Sequence, residues 1–151
     1  MAPSDQEPQL ALKRWLIDTG PFVAYLDRAD PMHRSTTARL DDFVGQLLTT
    51  PAVVTETMYF IGDDAEGPVS FARLLVNANV HIGDMSRPAD ILAAATLMKR
   101  YRDTPMDFAD ATMVLLADQL GVTDIATLDR RGFSTYRTAK GKRFRLVLDE
   151  E

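Results

Sequence analysis

A chain of 151 residues, 46% of them hydrophobic, has the length of one domain and enough apolar side chains to bury a core. With no cysteine and only two histidines, His33 and His81, it has no disulfide framework, thiolate zinc site, cysteine nucleophile or histidine-rich metal site. Any metal must be held by oxygen, which favours Mg²⁺ or Mn²⁺. The net charge of −5 hides a segregation: residues 130–145 hold seven Lys and Arg and no acid, which leaves −12 on the remainder. Charge separated in this way can draw a polyanion to one place and a cation to another. The plainer reading of the same stretch is a solvated basic edge strand.

Residues 1–13 carry Pro, Gln, Asp and Glu and no apolar signal core. They read as a disordered leader ahead of one domain over residues 14–151, with no membrane span and a cytoplasmic setting. Trp15-Leu16-Ile17 is a short apolar run ending at Asp18, followed by Thr19-Gly20-Pro21, so a buried strand turns into a helix containing Phe22, Val23, Tyr25 and Leu26. Pro31 opens a second helix through about Leu47, with Leu40, Phe43, Val44 and Leu47 on one face. Residues 47–54 are β-branched and apolar and read as the second strand or its exit. A helix resumes at Thr55, with Glu56 in its first turn. A loop over residues 62–67 leads to a helix over 68–77, a third strand at Val80-His81-Ile82 and a helix from Pro88. Residues 107–121 then form a helix with acids at its start and a glycine at its end. Residues 123–128 give a fourth strand, stopping at Asp129-Arg130-Arg131-Gly132, and residues 144–148 a fifth. Strands alternating with helices predict a mainly parallel sheet of four or five strands covered on both faces.

Three strand exits carry or lead to an acid: Asp18 after the first, Glu56 beyond the second and Asp129 after the fourth. In open α/β sheets the ligand site lies outside the carboxyl ends of the strands, where strand order reverses. Asp110 starts the helix that feeds the fourth strand, with Asp107 three residues before it on a neighbouring position. Each acid has an ordinary reading as a helix cap, a first-turn dipole partner or a turn opener. Their joint placement argues for more, because crowded carboxylates repel unless a cation joins them. Hard ions held there can stabilise the charge developing on a phosphodiester. The hydroxyls of Thr19 and Thr127 stand close enough in sequence to orient Asp18 and Asp129. His33 reads as a helix-start residue that could also meet substrate, and His81 as structural. Arg130, Arg131, Arg143 and Arg145 are candidate RNA contacts. The apolar residues Phe43, Val44, Met58, Tyr59, Phe60 and Ile61 are either core, a self-complementary dimer face or a groove for a partner.

These segments resemble the PIN domain family, and within it the VapC-type toxins of bacterial toxin–antitoxin pairs. The resemblance runs through Leu16-Ile17-Asp18-Thr19-Gly20-Pro21, residues 50–56, Asp107-Phe108-Ala109-Asp110-Ala111 and residues 125–133, and spans about residues 14–148. It implies a three-layer α/β/α fold and a Mg²⁺- or Mn²⁺-dependent ribonuclease whose four family acids correspond to Asp18, Glu56, Asp110 and Asp129. Asp107 matches an acid found in part of the family. The resemblance also implies a homodimer silenced by a VapB-like antitoxin. Other readings are a PIN nuclease of RNA processing without an antitoxin, or a silent RNA- or protein-binding module, which would gain nothing from four mutually repelling acids. A phosphotransferase of the haloacid-dehalogenase type would need a second Asp two residues after Asp18, where Gly20 stands.

Overall fold

The computed structural model describes residues 12–149. The expected leader over residues 1–13 therefore lies outside the described residues as far as residue 11. Lys13 already contributes its carbonyl, which accepts from Gln46 N at 2.8 Å. The elements run β1 (Arg14–Ile17), α1 (Thr19–Leu26), α2 (His33–Asp42), β2 (Gln46–Thr49), α3 (Pro51–Ile61), α4 (Gly67–Asn77), β3 (His81–Ile82), α5 (Pro88–Arg100), α6 (Phe108–Leu120), β4 (Asp124–Ala126), α7 (Arg130–Thr135) and β5 (Arg145–Leu146). All four strand pairings are parallel, in the order β3-β2-β1-β4-β5. This is the α/β, three-layer arrangement expected from the alternating pattern. No helix among the described residues is long and apolar enough to cross a membrane.

The order places β1 at the centre. The chain steps outward through β2 to β3, then returns past β1 to start β4 on its other side. Strand order thus reverses between β1 and β4, where the carboxyl ends of an open sheet leave a crevice. Leu16 and Ile17 on β1, Leu48 on β2 and Ile125 and Ala126 on β4 are at most 1% exposed, the continuous burial of strands covered on both faces. Phe22, Val53, Phe71, Met113, Val114 and Leu116 pack on them from the helices.

Several predicted boundaries move, each for a local reason. The apolar run 47–54 is not one strand, because β2 ends at Thr49 and α3 begins at Pro51. Thr50 caps that helix, its Oγ1 accepting from Val53 N at 3.4 Å, and proline at the first helical position gives up no needed donor. Glu56 consequently sits in the second turn of α3, not the first. The second helix stops at Asp42. Phe43 then turns extended and stacks on Trp15 with ring centroids 4.0 Å apart, which leaves Val44 84% exposed and off the core face. The stop expected at residues 129–132 is the start of a helix, α7, capped by Asp129. The fifth strand is only Arg145–Leu146, and Val147–Asp149 coils into a 3₁₀ turn.

Candidate active site

Asp18 follows the last residue of the central strand and stands at the N-cap of α1. Its side chain makes no capping hydrogen bond and is left for another use. Asp18 N donates to Ala126 O at 3.0 Å, tying it to β4 at the crevice. Thr127 Oγ1 donates to Asp18 Oδ2 at 3.1 Å and accepts from Asp129 N at 3.0 Å. One buried hydroxyl at the exit of β4 thereby holds an acid from each side of the strand reversal. Asp18 is 6% exposed. Burial pushes its pKa up to about 6, with the Asp107 and Glu56 charges adding and hydrogen bonds from Thr19 N–H and Thr127 opposing.

Asp107 and Asp110 open α6 as a reciprocal cap. Asp110 N donates to Asp107 Oδ1 at 2.8 Å, and Asp107 N donates to Asp110 Oδ2 at 3.1 Å. The expectation that Asp107 caps the helix holds in the structure, and Gly121 ends the same helix at φ 66°. Burial, followed by the charges of Asp18 and Asp107, pushes Asp110 up to about 8. Glu56, reaching in from α3, is also raised, first by burial and then by Asp107, while the nearby Thr19 hydroxyl favours its ionised form. Thr19 Oγ1 is buried without a well-formed hydrogen bond. It therefore serves Glu56 at longer range, and the part of Thr19 that meets Asp18 is its backbone N–H. Asp129 Oδ1 accepts from Gly132 N at 3.0 Å. A Cβ at residue 132 would overlap Asp129 Oδ2, so glycine lets the carboxylate fold over the first turn of α7.

These five acids line one cleft of about 350 Å³ together with Asp30 and Phe60. Asp30 is an acid the sequence reading passed over. Its carboxylate accepts from Met32 N at 2.8 Å, an ordinary turn interaction that gives no sequence signal of a site. A hollow of about 590 Å³ opens beside the cleft, shares Val23 and Phe60 with it, and is edged by Arg28, Asp63 and Asp64. His33 lies apart from the cleft lining: its Nδ1 is 2.7 Å from Ala24 O and fastens α2 to α1. His81 is exposed on the two-residue edge strand.

The basic candidates divide. Arg130 pairs with Asp149 at 2.9 Å and Arg145 with Asp124 at 2.7 Å. The Arg137 guanidinium donates to the carbonyls of Ser134, Thr135 and Tyr136. Arg131 and Arg143 are exposed, and their side chains make no ion pair among the described residues.

No three acidic or histidine groups among the described residues stand close enough to enclose a metal ion by themselves. Mg²⁺ commonly takes one or two carboxylates and fills its remaining positions with water and phosphate oxygen. The donor set fits such an ion. It is all hard oxygen, and burial raises the pKa of Asp18 and of the partly buried Asp110, with the Asp18 charge adding at Asp110, a repulsion that a cation would relieve.

A parallel sheet with order 3-2-1-4-5 and a cleft of acids at its strand reversal defines a class of α/β proteins that place their chemistry at the carboxyl ends of the strands. The chain matches the PIN domain over residues 15–139 and belongs to that family. It is 35% identical over 136 residues to the ribonuclease VapC26 of Mycobacterium tuberculosis, covering 87% of this chain and 98% of that one. The crystal structure of VapC20 from Mycobacterium tuberculosis, a Sarcin-Ricin loop cleaving toxin, shares the fold. Its TM-score is 0.70 at 17% identity, over 78% of this chain and 91% of the other.

Proposed function

We propose that the chain is a Mg²⁺- or Mn²⁺-dependent endoribonuclease, the toxin of a VapBC-type pair. The observation that carries this reading is the cleft at the strand reversal, where the buried Asp18 and the half-buried Asp110 both have raised pKa values and Glu56, Asp107 and Asp129 line the same space. Asp18 and Asp110 would hold the ion directly and Glu56 and Asp129 through its bound water, and the ion when bound supplies positive charge to the phosphate and to the developing oxyanion. Thr127 holds the Asp18 carboxylate and the backbone before Asp129 in register. Asp107 keeps the Asp110 carboxylate turned back onto the helix start. Arg131 and Arg143 would attract the RNA backbone. Whole-chain likeness to a named VapC ribonuclease supports this assignment.

The partner reading follows from the surface beside the cleft. Tyr59 and Phe60 are 81% and 59% exposed, and Phe60 borders both the cleft and the neighbouring hollow. A segment of a VapB-like antitoxin seated there would cover the acids. A homodimer is the expected state of the free protein, and light scattering that finds only monomer at micromolar concentration would refute it.

The decisive assay uses a fluorescent single-stranded RNA and purified protein. Cleavage should require Mg²⁺ or Mn²⁺ and cease in EDTA. Asp110→Asn, which keeps the size of the side chain and removes its charge, should lower the rate by orders of magnitude. Cleavage by Asp110→Asn at the wild-type rate would dismiss the carboxylate cluster.

A further inference from the structure

We propose that Tyr136 is a positioning residue for the acid cluster: its hydroxyl fixes the link that delivers Asp107 and Asp110, and its ring backs the turn that delivers Asp129. The inference rests on the metal-dependent reading above and adds a residue outside the cleft lining.

Tyr136 ends α7 and is completely buried. Its OH donates to Pro105 O at 2.7 Å, across 31 positions of sequence. Pro105 lies between the turn closed by Thr104 N on Tyr101 O (2.9 Å) and the α6 cap at Asp107. The bond therefore sets where the first turn of α6 begins. On the other edge, the ring packs against Gly132, where a Cβ would meet Tyr136 Cε2 at 3.0 Å as well as Asp129 Oδ2. One side chain thus touches both turns that bring acids to the cleft from the end of the chain. Edge-on contacts with Tyr101 at 5.1 Å and Phe133 at 5.2 Å hold the ring.

The hydroxyl is what separates this role from core filling. Phenylalanine would occupy the same volume and keep both ring contacts. Burial, together with the charges of Asp110, Asp129, Asp107 and Asp18, raises the phenol's pKa, so it stays a neutral donor as those acids ionise. Removing it frees the Pro105 carbonyl and lets the start of α6 shift relative to Asp18. Groups bonded directly to metal ligands typically change metal affinity by about 10- to 100-fold when lost, and Tyr136 acts one bond further out, so a loss near the lower end of that range is expected.

The test titrates Mn²⁺ into the full chain by calorimetry for wild type, Tyr136→Phe and Tyr101→Phe, and follows RNA cleavage against metal concentration. Tyr101→Phe is the matched control. It removes a hydroxyl of the same aromatic group that accepts from Arg137 N at 3.0 Å, while the Tyr101 carbonyl that closes the turn before Pro105 is kept. Tyr136→Phe should bind Mn²⁺ up to about tenfold more weakly, need correspondingly more metal for half-maximal cleavage, and recover most of its kcat at saturating metal. Tyr101→Phe should lower the melting temperature while keeping the wild-type affinity. Wild-type affinity in Tyr136→Phe overturns the proposal, as does an equal loss in Tyr101→Phe, which would mean general loosening. Should Tyr136→Phe fail to fold, Pro105→Gly relaxes the same link without touching the core. Its affinity should fall too, and an unchanged value overturns the proposal. If wild type neither binds Mn²⁺ nor cleaves RNA with any divalent ion, the metal-dependent reading itself falls and takes this inference with it.

Discussion

Asp18 and Asp110 hold protons where an unfolded chain would have released them. Their pKa values of about 6 and about 8 compare with about 3.9 for an aspartate in a flexible peptide. Below about pH 4 both states are protonated and the two groups contribute nothing to the pH dependence. Between about pH 4 and 8 the folded chain binds more protons than the unfolded one, so metal-free stability falls as pH rises, and the loss is complete above about pH 8. In EDTA the melting temperature should therefore decline from pH 5 to pH 9. Asp110→Asn should flatten that slope and raise metal-free stability at pH 8 by about 1–3 kcal/mol. Mg²⁺ should raise the melting temperature most at high pH, where it no longer competes with protons. A melting temperature in EDTA that rose steadily with pH would refute the account. Asp107 calls for a different expectation, since it caps α6 through Asp110 N. Asp107→Asn keeps an acceptor at the cap and removes a charge that raises Asp18, Glu56 and Asp110, so metal-free stability should hold or rise, whereas Asp107→Ala should fall about 1 kcal/mol below Asp107→Asn. Denaturant unfolding of the two variants distinguishes cap from charge.

At the scale of elements, α7 is the part of the site with the least freedom. Gly132→Ala places a methyl against Asp129 Oδ2 and the Tyr136 ring. It should destabilise by about 1–3 kcal/mol and, because the Asp129 carboxylate must move, lower cleavage more than that loss explains. Rates measured well below the melting temperature separate the two effects. Loss of stability with full activity would show that the fold of Asp129 over Gly132 is immaterial. The same element shows where the sequence was hard to read. A six-residue helix beginning Arg-Arg-Gly has too few positions for an apolar period to emerge, and its cap, Asp129, reads equally well as a turn opener. The β2–α3 junction was obscured for another reason. Residues 47–54 are uniformly apolar or β-branched on both sides of Thr50, so the break rests on a threonine cap and a proline, not on any change of pattern. By contrast α6 was legible at both ends, because Asp107, Asp110 and Gly121 each carry a terminal signal with one structural meaning. Asp18 and Asp129 were legible as strand exits, but the hydroxyl of Thr127 that joins them depends on which strands become neighbours. Asp30 and Tyr136 came out only with the fold, since a turn aspartate and a core tyrosine look ordinary in sequence.

Across the whole molecule the charge is divided, with an acidic cleft and a basic segment after β4 whose pairing is uneven. Arg130 and Arg145 are engaged with Asp149 and Asp124, and such exposed pairs contribute little stability. Arg131 and Arg143, exposed and without an ion pair among the described residues, are the proposed phosphate contacts. Replacing both with Gln should leave folding stability within about 0.5 kcal/mol of wild type and weaken RNA binding. It should also reduce the slope of log affinity against log salt by about two, as read by fluorescence anisotropy over a salt series. An unchanged slope would move the RNA path elsewhere. The strand order carries a further consequence. β1 is bonded on both sides, to β2 and to β4, while β3 and β5 are two-residue strands at the edges. In hydrogen exchange the amides of Leu16 and Ile17 should be released only by global unfolding, and those at the edges by cheaper local openings. Asp18 therefore belongs to the last part of the molecule to open. The start of α6 is held by other means, the Asp107–Asp110 reciprocal cap and the Tyr136 bond to Pro105, with the helix behind it largely buried from Ala109 to Ala117. The cleft thus joins two independent anchors, one at the middle of the sheet and one at a capped helix start, and its shape is set by the fold before any cation arrives.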